Sequence, residues 1–417
     1  MTGGGASAPP PVPISTMPSP ALPRPDIYDV DFARSPFLAI WEVTRACDLA
    51  CKHCRAEAIA RRDPRELTPT EGLALLEQIA GFGQPVVVLT GGDPIKRPDI
   101  YSLIQHGTRL GLRMTMTPSG TPLMTPEVVR RCQEAGLRRL AVSLDGASAA
   151  VHDSFRQVAG SFDWSVRMLA EARRIGLSTQ INSTVTRQTL GELEGLRDLV
   201  TDLGVSLWSV FFLVPVGRGR PEDEVSADEY EAVFEKLAVW AAQGPFDLKS
   251  TAAPHYRRYL MQQRVKAARL RREVVRGGPS SPERAVAEAA AGGGIERAPR
   301  AVNDGNGLVF VSHTGEIYPS GFLPLAAGNI RKDSLVEVYR THPLFVGLRD
   351  YSGLKGKCGV CEFRNVCGGS RARAWALSGD PMESEPFCAY VPGPYRKLVE
   401  AGEALDPAAY FAAWARR

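Results

Sequence analysis

The alternation of strands and helices between residues 36 and 213 constrains the fold most. Six short apolar stretches have the composition of β-strands, and windows with helical start and stop signals lie between them. The predicted strands are 37–41, 86–89, 113–116, 140–144, 180–185 and 207–213. The predicted helices are 70–82, 99–110, 125–135, 162–175 and 190–203. Because strands linked through helices run parallel, the pattern predicts an α/β fold with a parallel sheet, open or closed into a barrel.

The repeat is expected to end at residue 213. Residues 227–243 form an amphipathic helical window, and a very basic window covers 255–276. Two apolar stretches around a His-Thr-Gly turn, 308–312 and 316–318, predict a β-hairpin, and a short helix is expected at 335–339. We therefore expect a disordered leader at 1–35 and a barrel core at 36–225. A helical linker at 226–302, with a mobile insertion at 277–300, should lead to a smaller domain at 303–395 and a tail helix at 396–417.

Composition excludes several classes of function. Fifty Lys and Arg against 46 Asp and Glu give a net charge of +4, so neither a nucleic acid nor an acidic membrane is indicated as an obligatory partner. The longest aliphatic run, 86–89, is too short to span a membrane, and the N-terminus lacks the features of a secretory signal. We expect a cytoplasmic protein. In that reducing compartment, clustered cysteines indicate metal ligands rather than disulfides.

Three cysteines follow the first predicted strand in a C-x3-C-x2-C motif: Cys47, Cys51 and Cys54. A cubic iron–sulfur cluster is normally held by four thiolates, so three ligands leave one iron open to a small molecule. The alternative is a structural zinc site, which needs four ligands. The nearby His53 is adjacent to Cys54 and is poorly placed to bind the same ion. We interpret the motif as an open iron–sulfur site.

The second predicted strand ends in Gly91, Gly92 and Asp93. Glycines after a strand commonly mark only a turn. Beside the cysteine loop, however, residues without side chains allow backbone carbonyls to approach the amino group of a ligand, and Asp93 adds an anionic acceptor. The motif therefore predicts a ligand-binding loop.

The second cysteine group lies in the smaller domain and comprises Cys358, Cys361, Cys367 and Cys388. Four thiolates complete the ligand set of an iron–sulfur cluster or, as the alternative, of tetrahedral zinc. The C-x2-C-x5-C spacing and the presence of the first motif favour iron–sulfur. Such a cluster has no open iron, so we expect it to relay electrons or to support folding. The remaining cysteine, Cys132, is predicted to be a core thiol.

These motifs resemble those of radical S-adenosylmethionine (SAM) enzymes, and the smaller domain resembles their SPASM/twitch extension. The resemblance covers about residues 36–395 and implies a partial (β/α)6 barrel of the TIM type. In that family, a 4Fe–4S cluster with an open iron binds SAM. Its electron cleaves SAM to methionine and a 5′-deoxyadenosyl radical, which abstracts hydrogen from the substrate. The resemblance implies an enzyme in which Cys47, Cys51 and Cys54 hold this cluster.

The resemblance also implies contacts with SAM. The implied contacts are Gly91, Gly92 and Asp93 at the amino end, His53 at adenine, and Ser143 and Arg156 at the ribose and carboxylate. Turn or capping roles are the alternative for the last two. The same alternative applies to other polar or small residues near the strand ends, namely Thr117, Pro118, Ser119, Gly120, Asp145, Gly146, His152, Asn182 and Ser183.

Two serines distinguish this chain from full SPASM domains. Those domains hold two auxiliary clusters and use a cysteine in the hairpin and another shortly after the C-x2-C-x5-C triplet. Here Ser320 and Ser370 stand at the corresponding places. We therefore expect one auxiliary 4Fe–4S cluster, with the four cysteines of the second group as its ligands.

The substrate is indicated less directly. Residues 253–258, 367–374 and 385–388 resemble the tetrapyrrole-modifying branch of the family, which includes heme synthases that decarboxylate propionates and enzymes of denitrification-heme synthesis. This resemblance predicts modification of the side chains of a heme precursor. Arginines suit propionates, and His255 is a candidate axial ligand. The alternative is a basic, solvated helix, because residues 257–276 hold eight Lys or Arg and one acidic residue.

Two other functions stay open. One is a SPASM-type peptide maturase. Such enzymes often carry a leader-binding module ahead of the barrel, and the Pro- and Gly-rich leader before residue 37 weakens this interpretation. The other is a non-catalytic iron–sulfur electron carrier, against which the open first cluster argues. The expected partners are a small-molecule substrate (a tetrapyrrole) or a peptide, and a low-potential electron donor such as ferredoxin or flavodoxin.

Overall fold

The computed structural model describes residues 27, 30–275, 288–289 and 302–406. Most of the predicted leader and of the predicted insertion lies outside these residues, as do residues 407–417 of the predicted tail helix. Residues 30–35 were also assigned to the leader, but they pack against the rest of the chain. The buried Phe32 accepts a hydrogen bond at its carbonyl from the Tyr339 hydroxyl, at 2.7 Å.

Parallel strands in sequence order form the main sheet of the described structure, with helices in the connections between them. The strands are β1 (Leu38–Thr44), β2 (Val86–Gly91), β3 (Arg113–Met116), β4 (Arg139–Ser143), β5 (Ser178–Val185), β6 (Leu207–Phe212) and β7 (Asp247–Thr251). The helices are α1 (Pro69–Ala80), α2 (Ile100–Arg109), α3 (Pro126–Glu134), α4 (Ala149–Arg156), α5 (Ser161–Arg174), α6 (Leu193–Leu203) and α7 (Ala227–Gln243). The predicted α/β class and parallel sheet are confirmed.

The repeat continues beyond residue 213, and the expectation that it ends there was wrong. Strand β7 follows α7 and pairs in parallel with β6, with Asp247 opposite Leu207 and Thr251 opposite Phe211. All of its residues are half-buried or exposed. Because it lies at one end of the sheet, it does not need the apolar pattern that marks the inner strands. Helix α4 was also absent from the prediction.

The C-terminal region extends the same sheet at its other end. Strand β8 (Leu308–Val311) pairs in parallel with β1 and antiparallel with β9 (Glu316–Tyr318), and β9 pairs with β10 (Gly328–Asn329). The predicted hairpin is confirmed. The described strands form an open sheet in the order β10-β9-β8-β1-β2-β3-β4-β5-β6-β7.

The remaining helices surround the second cysteine group or support the hairpin. They are α8 (Tyr256–Val275), α9 (Leu335–Thr341), α10 (Pro343–Arg349), α11 (Gly356–Gly359), α12 (Arg364–Cys367), α13 (Arg371–Ser378) and α14 (Gly393–Glu400). The predicted helix at 335–339 is confirmed by α9. None of the helices among the described residues has the length and apolar character needed to cross a bilayer.

Local sequence explains where several helices begin. At α1, the Thr68 hydroxyl accepts the Glu71 N–H at 3.3 Å, while the Glu71 carboxylate accepts the Thr68 N–H at 2.8 Å. Pro69 occupies the first helical position, where its missing N–H costs nothing. This capping box fixes the start of α1 and therefore the length of the loop that carries the first three cysteines.

Candidate active site

One cavity lies where the carboxyl ends of β1 to β6 meet. Loops at this edge carry the chemistry in folds with a parallel sheet, because the strand ends converge there. Every residue implied to bind the first cluster or SAM lines the cavity except Asp93. These lining residues are Cys47, Cys51, His53, Cys54, Gly91, Gly92, Ser143 and Arg156.

The first cysteine group lies in the loop between β1 and α1. Backbone N–H groups point at two of its sulfurs: Leu49 N–H donates to Cys47 Sγ at 3.3 Å, and Ala58 N–H donates to Cys54 Sγ at 3.4 Å. Such donors favour the thiolate, which is the form that binds a cluster. Burial raises the pKa of the Cys47 thiol, and binding of a metal releases the proton of such a thiol.

The cysteines do not have the geometry of a mononuclear metal site. No three Cys, His, Asp or Glu side chains within the described ranges converge as ligands of one metal ion would. Zinc requires four ligands at about 2.0–2.3 Å from a single centre. A cubic cluster does not, because each of its thiolates binds a different iron. Three cysteines that line one cavity supply the ligands of a 4Fe–4S cluster with one open iron.

The glycines of the β2 loop permit a close backbone approach. A Cβ on Gly91 would lie 2.2 Å from the Thr44 carbonyl, and a Cβ on Gly92 would lie 2.4 Å from the Ala46 carbonyl. Gly92 N–H donates to the Thr44 carbonyl at 2.7 Å. The sequence suggested glycines for access to a ligand. The structure adds that they let the β2 loop pack directly on the cysteine loop.

Asp93 lies behind these glycines, outside the cavity lining. Its side chain is fully buried and accepts hydrogen bonds from Ile95 N–H at 3.3 Å, Ser119 N–H at 3.4 Å and the Thr121 hydroxyl at 3.1 Å. Burial raises the pKa of this carboxyl to about 6. Asp93 thus ties the loops after β2 and β3 together. Its contact with SAM, implied by the resemblance, stays a prediction.

His53 presents a neutral aromatic ring at the cavity. The ring stacks on Phe155, with centroids 4.5 Å apart and planes 17° apart. Burial lowers the pKa of His53 to about 4, so the ring is uncharged at neutral pH. A neutral, stacked imidazole suits contact with a nucleobase, as the resemblance implied.

Arg156 combines two roles at the end of α4. Its guanidinium forms an ion pair with Asp145 and donates from Nη1 to Cys51 Sγ at 3.6 Å. Burial raises the pKa of Asp145, but Arg156, the neighbouring histidines and the Thr184 N–H together outweigh this effect, and the resulting pKa is lowered. Asp145 is held in turn by Thr184 N–H at 2.7 Å. A fixed cation therefore lies beside the Cys51 sulfur at the cavity.

Most of the other predicted positions also reach the cavity. Those that line it are Thr117, Pro118, Ser119, Gly120, His152 and Asn182. Ser119 Oγ lies 3.2 Å from Cys47 Sγ and 3.0 Å from the Gly92 carbonyl that accepts its hydrogen bond. Ser183 instead accepts a hydrogen bond from Trp208 Nε1 in the core, at 3.0 Å.

Sequence reasoning missed an apolar wall of the cavity. The wall is formed by residues at and after the end of β6 and by one residue beyond the hairpin, namely Phe211, Phe212, Leu213, Val214 and Phe322. The ring centroids of Phe211 and Phe322 are 6.5 Å apart. In sequence, large apolar residues at a strand end cannot be distinguished from core residues, so no signal marked them.

All four cysteines of the second group line one separate cavity: Cys358, Cys361, Cys367 and Cys388. Backbone N–H groups again donate to sulfur, from Phe363 to Cys361 at 3.4 Å, from Gly369 to Cys367 at 3.3 Å and from Glu385 to Cys358 at 3.3 Å. These donors fit a fully ligated iron–sulfur cluster. Cys132, by contrast, is buried in α3, as predicted.

Ser320 and Ser370 make local structural hydrogen bonds. Ser370 Oγ caps α13 by accepting the Arg373 N–H at 3.2 Å. Ser320 Oγ accepts the Phe322 N–H at 3.2 Å. Both serines are almost fully buried. Neither lines the second cysteine cavity.

His255 lies beside the second cysteine group rather than the first cavity. It is fully buried at the start of α8 and lines the cavity of the four cysteines. Its ring stacks on Tyr230 at 5.2 Å and meets Phe234 edge-on at 4.9 Å. This placement does not support the suggested role of His255 as axial ligand to a substrate in the first cavity.

Comparison with known protein families supports the interpretation of the first cysteine group. The model of the Radical SAM superfamily matches residues 41–200, which include the first cysteine group and the β2 loop. Together with the relatives described next, this match shows that the chain belongs to the radical SAM superfamily. The protein is therefore an enzyme, and it belongs to a class that uses a 4Fe–4S cluster and SAM.

Two curated relatives and one solved structure show which members of the superfamily the chain is similar to. The chain is 38% identical to the AdoMet-dependent heme synthase of Methanosarcina barkeri over 87% of this chain and 99% of the relative. It is 41% identical to the AdoMet-dependent heme synthase of Nitratidesulfovibrio vulgaris over 85% of this chain and 92% of that relative. The crystal structure of Streptococcus suis SuiB bound to S-adenosylmethionine has a TM-score of 0.65 at 16% identity, covering 86% of this chain and 78% of SuiB, and shows a shared fold.

Proposed function

We propose that this radical SAM enzyme modifies the propionate side chains of a heme precursor. Near full-length similarity to AdoMet-dependent heme synthases carries the proposal. The apolar wall of the first cavity supports it, because a tetrapyrrole presents a large flat apolar face. Arg55 also lines the cavity, where it pairs with Glu42 at 2.8 Å and lies over the Phe310 ring at 4.8 Å; its remaining donors suit an anionic propionate.

The residues around the first cysteine group hold and orient SAM in this proposal. When bound to Cys47, Cys51 and Cys54, the cluster supplies the electron for reductive cleavage of SAM. The Gly91 and Gly92 loop receives the amino end. His53 contacts adenine as a neutral ring, and Arg156 balances the carboxylate; Ser143 faces the ribose. The apolar wall excludes water from the reactive radical.

The second cysteine group holds one auxiliary 4Fe–4S cluster in this proposal. The shared cavity of its four sulfurs and their N–H donors support the assignment. Ser320 and Ser370 already serve local hydrogen bonds, which supports one auxiliary cluster rather than two. We also propose a low-potential electron donor, ferredoxin or flavodoxin, and a cytoplasmic location, where the thiols stay reduced.

The test begins with the cleavage of SAM. The protein is reconstituted anaerobically with iron and sulfide, reduced with dithionite and supplied with SAM. We expect release of 5′-deoxyadenosine, measured by chromatography. Cys47→Ala should reduce release to background because the cluster loses a ligand, whereas Cys132→Ala should retain it because that thiol lies in the core. An active Cys47→Ala protein, or an inactive wild type, would contradict the enzyme assignment.

A second measurement tests the substrate. Titration of heme or a propionate-bearing porphyrin into the reconstituted protein should change the porphyrin absorbance, and the porphyrin should then be modified in the presence of SAM. A protein that cleaves SAM but neither binds nor modifies the porphyrin would overturn the substrate and leave the class intact. Modification of a short peptide instead would favour the peptide-maturase alternative.

A further inference from the structure

The cavity of the second cysteine group is lined by buried cationic side chains. Arg258 and Lys357 both line it and are 3% and 5% exposed. Fully buried cations are rare because desolvation disfavours a charge that has no counter-charge. For Arg258 one counter-charge is the carboxylate of Glu231, and the thiolates of a bound iron–sulfur cluster would supply more.

Arg258 reaches the cavity from α8, outside the loops that carry the cysteines. Its guanidinium is paired with Glu231, with Nη1 2.9 Å from Oε2, and lies over the Tyr390 ring at 5.5 Å. Gln262 Oε1 accepts a second hydrogen bond from Nη1 at 2.8 Å. Its Nε is buried and has no hydrogen-bond partner among the described residues. The side chain is thus fixed, with one donor left over.

An electrostatic effect of Lys357 on the cluster could not be separated from its effect on folding. It directly precedes Cys358, and its Nζ donates to the carbonyl of Cys388. Replacing it would disturb the ligand loops themselves. Arg258, by contrast, acts on the cysteines only through space.

The guanidinium of Arg258 lies at the cavity that the four cysteines also line, and Glu231 and Gln262 hold it there. Its charge therefore acts on any cluster that these sulfurs bind. A reduced cluster carries one more negative charge than an oxidised one. In a buried, weakly screened site, a nearby cation therefore stabilises the reduced state more.

We infer that Arg258 is a positioning residue that sets the reduction potential of the auxiliary cluster, with Glu231 attenuating its charge. The inference rests on the proposed function of the second cysteine group as the site of that cluster. The ion pair leaves a net field that depends on both partners. Removing the cation should lower the potential, and removing only the carboxylate should raise it.

The experiment uses the full-length chain with Cys47, Cys51 and Cys54 replaced by Ala, so that only the auxiliary cluster remains. Its potential is measured by a redox titration monitored by electron paramagnetic resonance. Arg258→Gln should shift the midpoint to more negative values, and Glu231→Gln should shift it to less negative values. Arg258→Lys keeps the charge and should stay nearer the parent than Arg258→Gln.

A matched control lies on the same helix. Arg269 is exposed to solvent, which screens its charge, so Arg269→Gln should leave the midpoint unchanged. A role of Arg258 in folding alone would move Arg258→Gln and Glu231→Gln in the same direction. Shifts of the same sign, or no shift in either variant, would overturn the inference. If Arg258→Gln loses its iron, the midpoint potentials of Glu231→Gln and Arg258→Lys test the inference in its place.

Iron content separates failure of the inference from failure of the underlying assignment. The unaltered protein should bind about eight irons and the triple-Ala chain about four, because each cubic cluster holds four. About four irons in the unaltered protein would overturn the auxiliary cluster and the inference with it. Full iron content with unmoved potentials would overturn only the role of Arg258.

Discussion

His152 shows how a single buried residue makes the site sensitive to pH. Its Nδ1 accepts the Asp145 N–H at 3.2 Å, and its Nε2 lies 3.3 Å from Ser161 Oγ. Burial lowers the pKa of His152 to about 4, and the neighbouring Arg156 acts in the same direction. The ring is therefore neutral at pH 7. A proton on Nδ1 would break its hydrogen bond to the loop that carries Asp145.

We predict that His152 contributes to unfolding in acid. Its folded pKa of about 4 lies below the ordinary value of 6.5, so the unfolded chain takes up the proton first, and stability falls as pH drops from 6.5 to 4. At about 1.4 kcal/mol per pKa unit, the full loss is on the order of 3 kcal/mol. His152→Asn should flatten the dependence of the unfolding free energy on pH in this interval. Parallel curves for both proteins would contradict the prediction.

At the scale of elements, the active site depends on the contact between the β2 loop and the cysteine loop. Asp93 N–H donates to the Ala46 carbonyl at 2.6 Å, directly beside Gly92. The carbonyls of Arg45 and Ala46 lie 2.6 Å and 2.4 Å from where a Cβ of Gly92 would be. Both obstacles are backbone atoms, which cannot move aside without shifting the cysteines.

We predict that Gly92→Ala displaces the first cysteine group. Because misplacement of a reacting group by about 1 Å can cost about 100-fold in rate, SAM cleavage should fall at least tenfold. The iron content should fall toward that of the auxiliary cluster alone. Gly191→Ala is the control, since a Cβ there meets nothing within 4 Å, and it should keep both values. Equal activity of the two variants would show that the close approach is unimportant.

At the scale of the whole molecule, one buried cation joins the parallel-sheet region to the C-terminal region. Arg373 of α13 donates to the Leu213 carbonyl at 2.7 Å and pairs with Glu224 at 3.0 Å and Glu385 at 3.2 Å. Leu213 lines the first cavity, and Glu385 lines the second. Burial raises the pKa of Glu224 to about 7 despite Arg373. The network fixes the two cavities relative to each other.

We predict that Arg373→Met destabilises the whole chain. Removing one partner of a buried ion network leaves the other charges uncompensated and costs about 3–5 kcal/mol. The free energy of unfolding, measured in urea under anaerobic conditions, should fall by this amount. Arg197→Met removes an exposed ion pair with Asp198 and should cost less than about 1 kcal/mol. Similar losses in both variants would contradict a joining role for Arg373.

Features that depend on a local sequence pattern were predicted correctly, whereas features that depend on contacts between distant parts of the chain were missed. Six inner strands and the hairpin were placed correctly, because buried strands need apolar runs that are visible in the sequence. Strand β7 was missed because it lies at the end of the sheet and is only half-buried. The role of Asp93 was not visible either, since its partners Ser119 and Thr121 come from the next strand connection.

The sequence by itself determined the order of strands and helices, the two cysteine groups and the ligand chemistry that each group offers. These properties depend on spacing within short segments, so local pattern is enough to identify them. Only the tertiary structure decided that His255 and Arg258 lie beside the second cysteine group, and that Phe211 and Phe322 form a wall of the first cavity. Those neighbours are far apart in the chain, and packing alone brings them together.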